Sequence, residues 1–223
     1  MNTADAIVGR RSCRAFTEQP VPIETIRRIL ETARRAPSGG NLQPWKVTAL
    51  SGAPLADFKA LIAAKLAAGE TETPEYDVYP HNLWEPFKTR RRNTGAQRYA
   101  ALGVSDKDKA ALKDLGDRNY RFFDAPVGLF FCLDRRLGPP QWSDMGMYML
   151  SVMLLAVERG LDTCPQEAWS NWPVSVGALL GLPPEMMLFA GMSMGYRDPD
   201  HPLNGYRTAR EPFDAFAEMR GFD

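Results

Sequence analysis

Hydrophobic residues recur along this chain at two spacings, and segments of the two kinds alternate. Ile23, Ile26, Leu30 and Ala33 fall on one helical face with Arg27, Arg28 and Glu31 opposite, which predicts an amphipathic helix behind Pro22. That helix has to stop near Arg35, because the residue before Pro37 is pushed out of helical geometry. Thr3 is placed to cap a short earlier helix running into Arg10-Arg11-Ser12. Trp45 to Leu50 is β-branched and aromatic and reads as a strand; Leu55, Phe58, Ile62 and Leu66 mark a third helix. Pro126 to Leu133 is a continuous apolar run, the pattern of a strand covered on both faces. A long apolar helix from Ser143 to Arg159 follows, ended by Gly160. The short segment 162–165, a helix near Val174 to Leu180 and a last strand from Met187 to Met194 complete the regular part. This alternation, with no internal repeat, predicts one unit of mixed helix and sheet.

Two stretches escape the pattern. Glu70 to Gln97 holds Pro74, Pro80 and Pro86 and then the basic run Lys88 to Arg92, and it reads as an irregular arm or lid. Its aromatic residues Tyr76, Tyr79, Trp84 and Phe87 suit either a lid over flat substrates or a packed surface arm. The basic run is read as a solvated face or an arm pairing with acidic residues, and no binding role is assigned to it. After the last strand, residues 196–223 form an extension ending in the amphipathic Phe213, Phe216 and Met219, a tail suited to packing on a partner subunit.

Composition narrows the function. The 223 residues carry 27 Lys plus Arg against 27 Asp plus Glu, so the chain is neutral, which argues against gripping a nucleic-acid backbone or an anionic membrane. A chain of this mass buries roughly 70% of its unfolded surface, enough for one full core. Cys13, Cys132 and Cys164 are odd in number and far apart, which argues against a disulfide framework or zinc site and suits a reducing cytosol. The first residues lack a secretory pattern and Met145–Val157 is too short to span a bilayer, so a cytoplasmic location is expected. With two histidines a His-based metal site is disfavoured, and GxGxxG, GxxxxGK[ST], GxSxG and HExxH are absent. What remains is chemistry in which a cofactor supplies the reactive atom.

Three short constellations offer polar groups. Arg10-Arg11-Ser12-Cys13-Arg14 suits a phosphate, since guanidinium groups fork onto its oxygens; taken alone it also reads as a solvated basic turn. Pro37-Ser38-Gly39-Gly40-Asn41 allows backbone amides to approach a ligand, or is simply a helix-to-strand loop. Cys164-Pro165-Gln166-Glu167-Ala168 exposes amides after a proline, or merely ends a strand; a Cys164 nucleophile is improbable with His81 and His201 both distant in sequence.

In order and spacing, RRSCRAF at 10–16, PVPIETIRRILETARRAPSGGNLQPWKV at 20–47, NYRFFDAP at 119–126, DMGMYMLSVMLLAVERGLDTCPQEAW at 144–169 and GMSMGYRDPDHPLNGYRTAREP at 191–212 resemble the FMN-dependent nitroreductase family, in its nitrobenzoate-reductase-like branch. The resemblance implies an α+β, three-layer fold: a mixed, mainly antiparallel sheet flanked by helices, in an intertwined homodimer with two FMN sites at the interface. It implies that Arg10, Arg11, Ser12 and Arg14 bind the FMN phosphate and ribityl chain, with Arg210 completing the phosphate site. Pro37, Ser38 and Gly39 would come from the other subunit to line the ring. Pro165, Gln166, Glu167 and Ala168 would lie near flavin N5, Ala168 replacing the more usual Gly, and Asn119 would meet the pyrimidine edge. The implied reaction is ping-pong hydride transfer from NADPH or NADH to a nitroaromatic or quinone-like acceptor. The alternatives are a reductive dehalogenase or other flavin enzyme of the superfamily, or a flavin-binding protein without useful turnover.

Overall fold

A computed structural model describes residues 1–222, which form seven α-helices, four strands and several 3₁₀ turns. The helices are α1 (Thr3–Gly9), α2 (Ile23–Ala33), α3 (Gly52–Ala67), α4 (Phe87–Ala101), α5 (Lys109–Asp117), α6 (Pro139–Glu158) and α7 (Pro173–Leu180). The strands are β1 (Lys46–Ser51), β2 (Val127–Asp134), β3 (Asp162–Gln166) and β4 (Met186–Gly195), in the order β1-β2-β4-β3. Every ladder between them is antiparallel; parallel pairing enters at the Ser12–Thr163 bridge, where the loop after α1 joins the sheet beside β3.

The apolar run at 126–133 explains the layers. Val127, Leu129, Phe131 and Leu133 join a core built with Ile26, Ile29 and Ala33 of α2 and Met145, Tyr148, Val152 and Ala156 of α6. Phe130 and Cys132 point to the opposite face, into a second core with Leu55, Phe58 and Ile62 of α3, Phe122 and Trp169. Alternation with period two thus feeds two cores from one strand, giving the three-layer α+β arrangement. A bulge between Phe131 and Cys132 pairs them with Ala190 and Leu188, skipping Phe189 and resetting which side chains of β4 face each core.

The aromatic core seats on glycines. A Cβ on Gly191 would lie 2.2 Å from Trp169 Cδ1, and one on Gly128 2.9 Å from Phe122 Cζ. Trp169 stacks or edges against Phe58, Phe122, Phe130 and Tyr120, so the turn following β3 is held on the sheet by rings.

Several boundaries differ from the sequence pattern. The N-cap of α1 is Asn2, whose Oδ1 accepts from Asp5 N at 2.9 Å, rather than Thr3, which is already helical. The buried stripe of α2 is Ile26, Ile29 and Ala33, leaving Ile23 exposed, and α6 starts at Pro139 because proline fits the first helical turn. The stretch expected to be irregular over 70–97 is helical from Phe87: Lys, Arg, Gln and Ala favour helix, but only Gly95 of α4 is buried, so no apolar stripe announces it. Among the described residues of the tail, 3₁₀ turns form at Pro202–Asn204 and Phe213–Ala215, and Phe213, Phe216, Met219 and Phe222 are exposed. Among the described residues no helix is long and apolar enough to cross a membrane.

Replacing Gly191 by Ala should destabilise the fold by about 1–3 kcal/mol, because Trp169 cannot stay seated. Urea unfolding checks this, and an unchanged midpoint would contradict the packing described.

Candidate active site

The loop after α1 is fixed from both sides. Arg207 donates from Nη1 to Val8 O at 2.5 Å and from Nη2 to Gly9 O at 3.0 Å, satisfying carbonyls that the end of α1 leaves open. Cys13 N donates to Thr163 O at 2.9 Å, stitching the loop to β3. Asn204, buried, is its main tie: Nδ2 donates to Ala15 O at 2.9 Å and Asp198 O at 2.8 Å, and Oδ1 accepts from Arg14 N at 2.9 Å. The backbone carbonyl of Asn204 also accepts from Arg11 Nη1 at 3.0 Å.

This framework presents a cleft of about 860 Å³ lined by Arg10, Arg11, Ser12 and Arg14 from the loop and Arg210 from the tail. All five residues expected at a phosphate therefore meet, although nearly two hundred positions separate the ends of the set. Sequence reasoning missed Asn204 and Arg207, which hold the loop, and Arg90 of α4, which also lines the cleft. Asn204 carries no local signal, since its partners lie far away in sequence; Arg90 sits within the basic run to which no role was assigned.

The cleft's electrostatics are one-sided. The Arg10 pKa is lowered by burial and then by Arg210 and Arg207; that of Arg11 is lowered by burial and then by Arg197 and Arg207. Among the described residues Glu211 is the only carboxylate lining the cleft, and the buried Nε of Arg11 has no hydrogen-bond partner. Crowded cations with an unsatisfied buried donor are what an anion at this position would relieve. Arg210 is exposed and turns Nη1 onto Thr208 Oγ1 at 2.8 Å and Ala209 O at 2.9 Å.

A second cavity, about 390 Å³, shares Arg14 with the first and is lined by Asn119 and by Pro165, Gln166, Glu167 and Ala168. The Gln166 side chain is consumed internally: Nε2 donates to Asn119 O at 2.6 Å and Oε1 accepts from Ser193 Oγ at 2.7 Å. It therefore locks the Asn119 turn to the sheet and has no free polar atom of its own to offer. Asn119 Nδ2 donates to Gly116 O at 2.9 Å. Just beyond, Phe122, Phe123 and Asp124 all hold left-handed φ values of 54°, 52° and 62°, an unfavourable conformation fixed by burial of both rings. Burial also raises the Glu167 carboxyl pKa.

Tyr76 and Tyr79 line this second cavity, whereas Trp84 and Phe87 pack edge-to-face on each other and line neither. The start of the arm is anchored to the body. Glu72 accepts from Val174 N at 2.7 Å at the head of α7, Glu75 pairs with Arg135 at 3.1 Å, and Tyr76 donates to Phe189 O.

Pro37, Ser38 and Gly39 line neither cavity. Their loop is shaped locally: Gly39 N donates to the buried Asp144 at 3.3 Å, Ser38 Oγ accepts from Gln43 N at 3.0 Å, and Gly40, Asn41 and Gln43 take positive φ. In one chain the expected site residues thus fall into two joined cavities and one separate loop.

The thiols are covered and stay protonated. Cys13, Cys132 and Cys164 are all buried, and burial pushes the first two up to about 12 and raises the third. His81 pairs with Asp77 and His201 Nδ1 accepts from Leu203 N, so neither activates Cys164.

A sequence model described as the Nitroreductase family matches residues 7–196. The chain belongs to the nitroreductase family. It is 39% identical over 213 residues to chloronitrobenzene nitroreductase from Comamonas testosteroni, covering 95% of this chain and 94% of that one. In structure it is similar to the FMN- and NADPH-dependent nitroreductase NfnB from Sphigopyxis sp. strain HMH, with TM-score 0.95 and 43% identity over 100% of both chains. It is also similar to the FMN-dependent NfnB from Mycobacterium smegmatis in complex with NADPH, with TM-score 0.92 and 31% identity over 97% of each chain.

Two outcomes follow from the buried thiols. At pH 8 a thiol–disulfide reagent should label almost none of the native protein and all three cysteines once urea unfolds it; rapid native labelling would contradict the burial. The folded thiols keep protons that the unfolded chain releases above its ordinary value of 9.0, so this contribution is full below pH 9 and is lost as pH rises toward 12. Urea midpoints should therefore fall from pH 8 to pH 10, and a rise would contradict the assignment.

Proposed function

We propose that residues 1–223 form a single nitroreductase domain that works as a cytoplasmic homodimer, an FMN-dependent oxidoreductase using NAD(P)H to reduce nitroaromatic or quinone-like acceptors. The observation that carries this reading is the arginine cleft, whose unpaired buried guanidinium nitrogen, with Arg10 and Arg11 lowered in pKa by burial and then by neighbouring arginines, fits a phosphate dianion. A second cavity at the end of β3 shares Arg14 with the cleft, and the pair suits a flat ring with a phosphate-bearing tail. When bound, FMN supplies hydride transfer from a nicotinamide donor to an acceptor that takes the donor's place in ping-pong order.

The chain's residues bind, orient and shield. Arg10, Arg11, Ser12 and Arg14 hold the phosphate and the chain leading from it, and Arg210 closes the site from the tail. Asn119 and the backbone of Pro165 to Ala168 fix the ring's plane, kept rigid by the Gln166 bonds to Asn119 and Ser193. Arg14 lines both cavities and so sets positive charge at their junction. Tyr76 and Tyr79 bound the side where a flat acceptor enters. Exposed Ile7 and Val8 of α1, Met147 and Leu150 of α6, and the tail's Phe216 and Phe222 support a second copy as the surface that buries them. Pro37, Ser38 and Gly39 then serve the partner's site.

An anaerobic absorbance spectrum of the FMN-loaded protein tests this reading: NADPH or NADH should bleach the flavin and a nitroaromatic should restore it. A flavin that stays oxidised with either donor would contradict turnover and favour a storage protein. Arg10→Ala should weaken FMN binding roughly 10- to 150-fold, the loss of a charged hydrogen bond of about 1.5–3 kcal/mol, and the exposed Arg210→Ala less. Fluorescence titration measures both, and an unchanged affinity in Arg10→Ala would remove Arg10 from the site.

A further inference from the structure

The basic run on α4 is not a solvated face throughout. Arg90, Asn93, Thr94 and Gln97 recur at the spacing of one helix side, and all four line the arginine cleft opposite the 10–14 loop. Arg90 donates from Nε to Glu211 Oε1 at 2.9 Å, which ties α4 to the tail. Its guanidinium carbon lies 5.7 Å from the centre of the Phe87 ring, and among the described residues its terminal nitrogens have no hydrogen-bond partner.

Charge in this cleft exceeds what one phosphate neutralises. Arg10, Arg11, Arg14, Arg90, Arg207 and Arg210 line it, with Glu211 in its wall and Asp162 acting on Arg11 and Arg207 from behind. Arg11, Arg14 and Arg207 direct donors at backbone carbonyls, which satisfies their hydrogen bonds but leaves their charge intact. A phosphate of about two negative charges, added to Glu211 and Asp162, leaves roughly two cations unanswered.

We infer that the α4 side of the cleft, with Arg90 as its cation, is a second phosphate subsite that takes the 2′-phosphate of NADPH and so selects NADPH over NADH. This rests on the reading of the site as one for FMN and a nicotinamide donor. Arg90 supplies two free donors for a phosphomonoester, and the amides of Asn93 and Gln97 offer uncharged partners for the ribose and base beside it. A donor lacking the 2′-phosphate leaves Arg90 facing only Glu211.

The test titrates the FMN-loaded protein with adenosine 2′,5′-bisphosphate and with 5′-AMP by calorimetry. The bisphosphate should bind at least tenfold more tightly than 5′-AMP. Arg90→Gln should abolish that advantage and bring kcat/KM for NADPH down to that for NADH, while weakening FMN binding far less than Arg10→Ala does. Glu211→Gln breaks the same ion pair but keeps the cation, and it should bind the bisphosphate as tightly as the unaltered protein or more so. Equal binding of the two nucleotides, an Arg90→Gln protein that keeps the preference, or an equal loss in Glu211→Gln would each overturn the assignment. Loss of FMN from Arg90→Gln alone would overturn it too, placing Arg90 in the flavin site. Failure of the unaltered protein to take up FMN would instead refute the functional reading on which it stands.

Discussion

One buried carboxamide sets where the arginines go. Asn204 bonds Arg14 N, Ala15 O and Asp198 O through its side chain and Arg11 through its backbone, so the loop after α1 and the segment after β4 move as one body. Arg10 and Arg11 lose hydration there and feel neighbouring cations, while Arg207 and Arg210 stay exposed. An anion bound at the edge where the 10–14 loop joins β3 would offset that cost.

The remainder of the architecture makes that edge rigid. β2 feeds two cores by simple alternation, and the second core is a stack of rings centred on Trp169, seated against Gly191 with no space for a methyl group. Trp169 follows directly on Pro165 to Ala168, so the packing that stabilises the domain also fixes the backbone that floors the second cavity. Gln166 connects this floor to Asn119, and the left-handed residues at 122–124 turn the chain back into β2. Binding surface and core are therefore two faces of the same few residues.

Much of this was legible in the sequence, for physical reasons. β2 and α6 stand out because burial on all sides demands continuous apolar sequence, and Gly160 ends α6 with a φ of 72° as its position predicts. The arginine loop was visible as a cluster, but its union with Arg210 came from the resemblance, since no local pattern links residues so far apart. What could not be read were features whose partners are distant or polar. Asn204 resembles any loop asparagine, and α4 turns a polar stripe toward a polar cleft, so hydrophobic periodicity is silent about it. The α2 stripe was misjudged by choosing Leu30 over Ile29, neighbours about 100° apart on a helix with only one fully covered.

The most direct test compares the affinity of the flavin-free protein for FMN and for riboflavin, which share the ring and differ in the phosphate. If the arginine cleft is the phosphate site, two or more charged hydrogen bonds make FMN bind at least about 100-fold more tightly, with an advantage that shrinks as salt is raised. Equal affinity for the two flavins, independent of salt, would contradict the account.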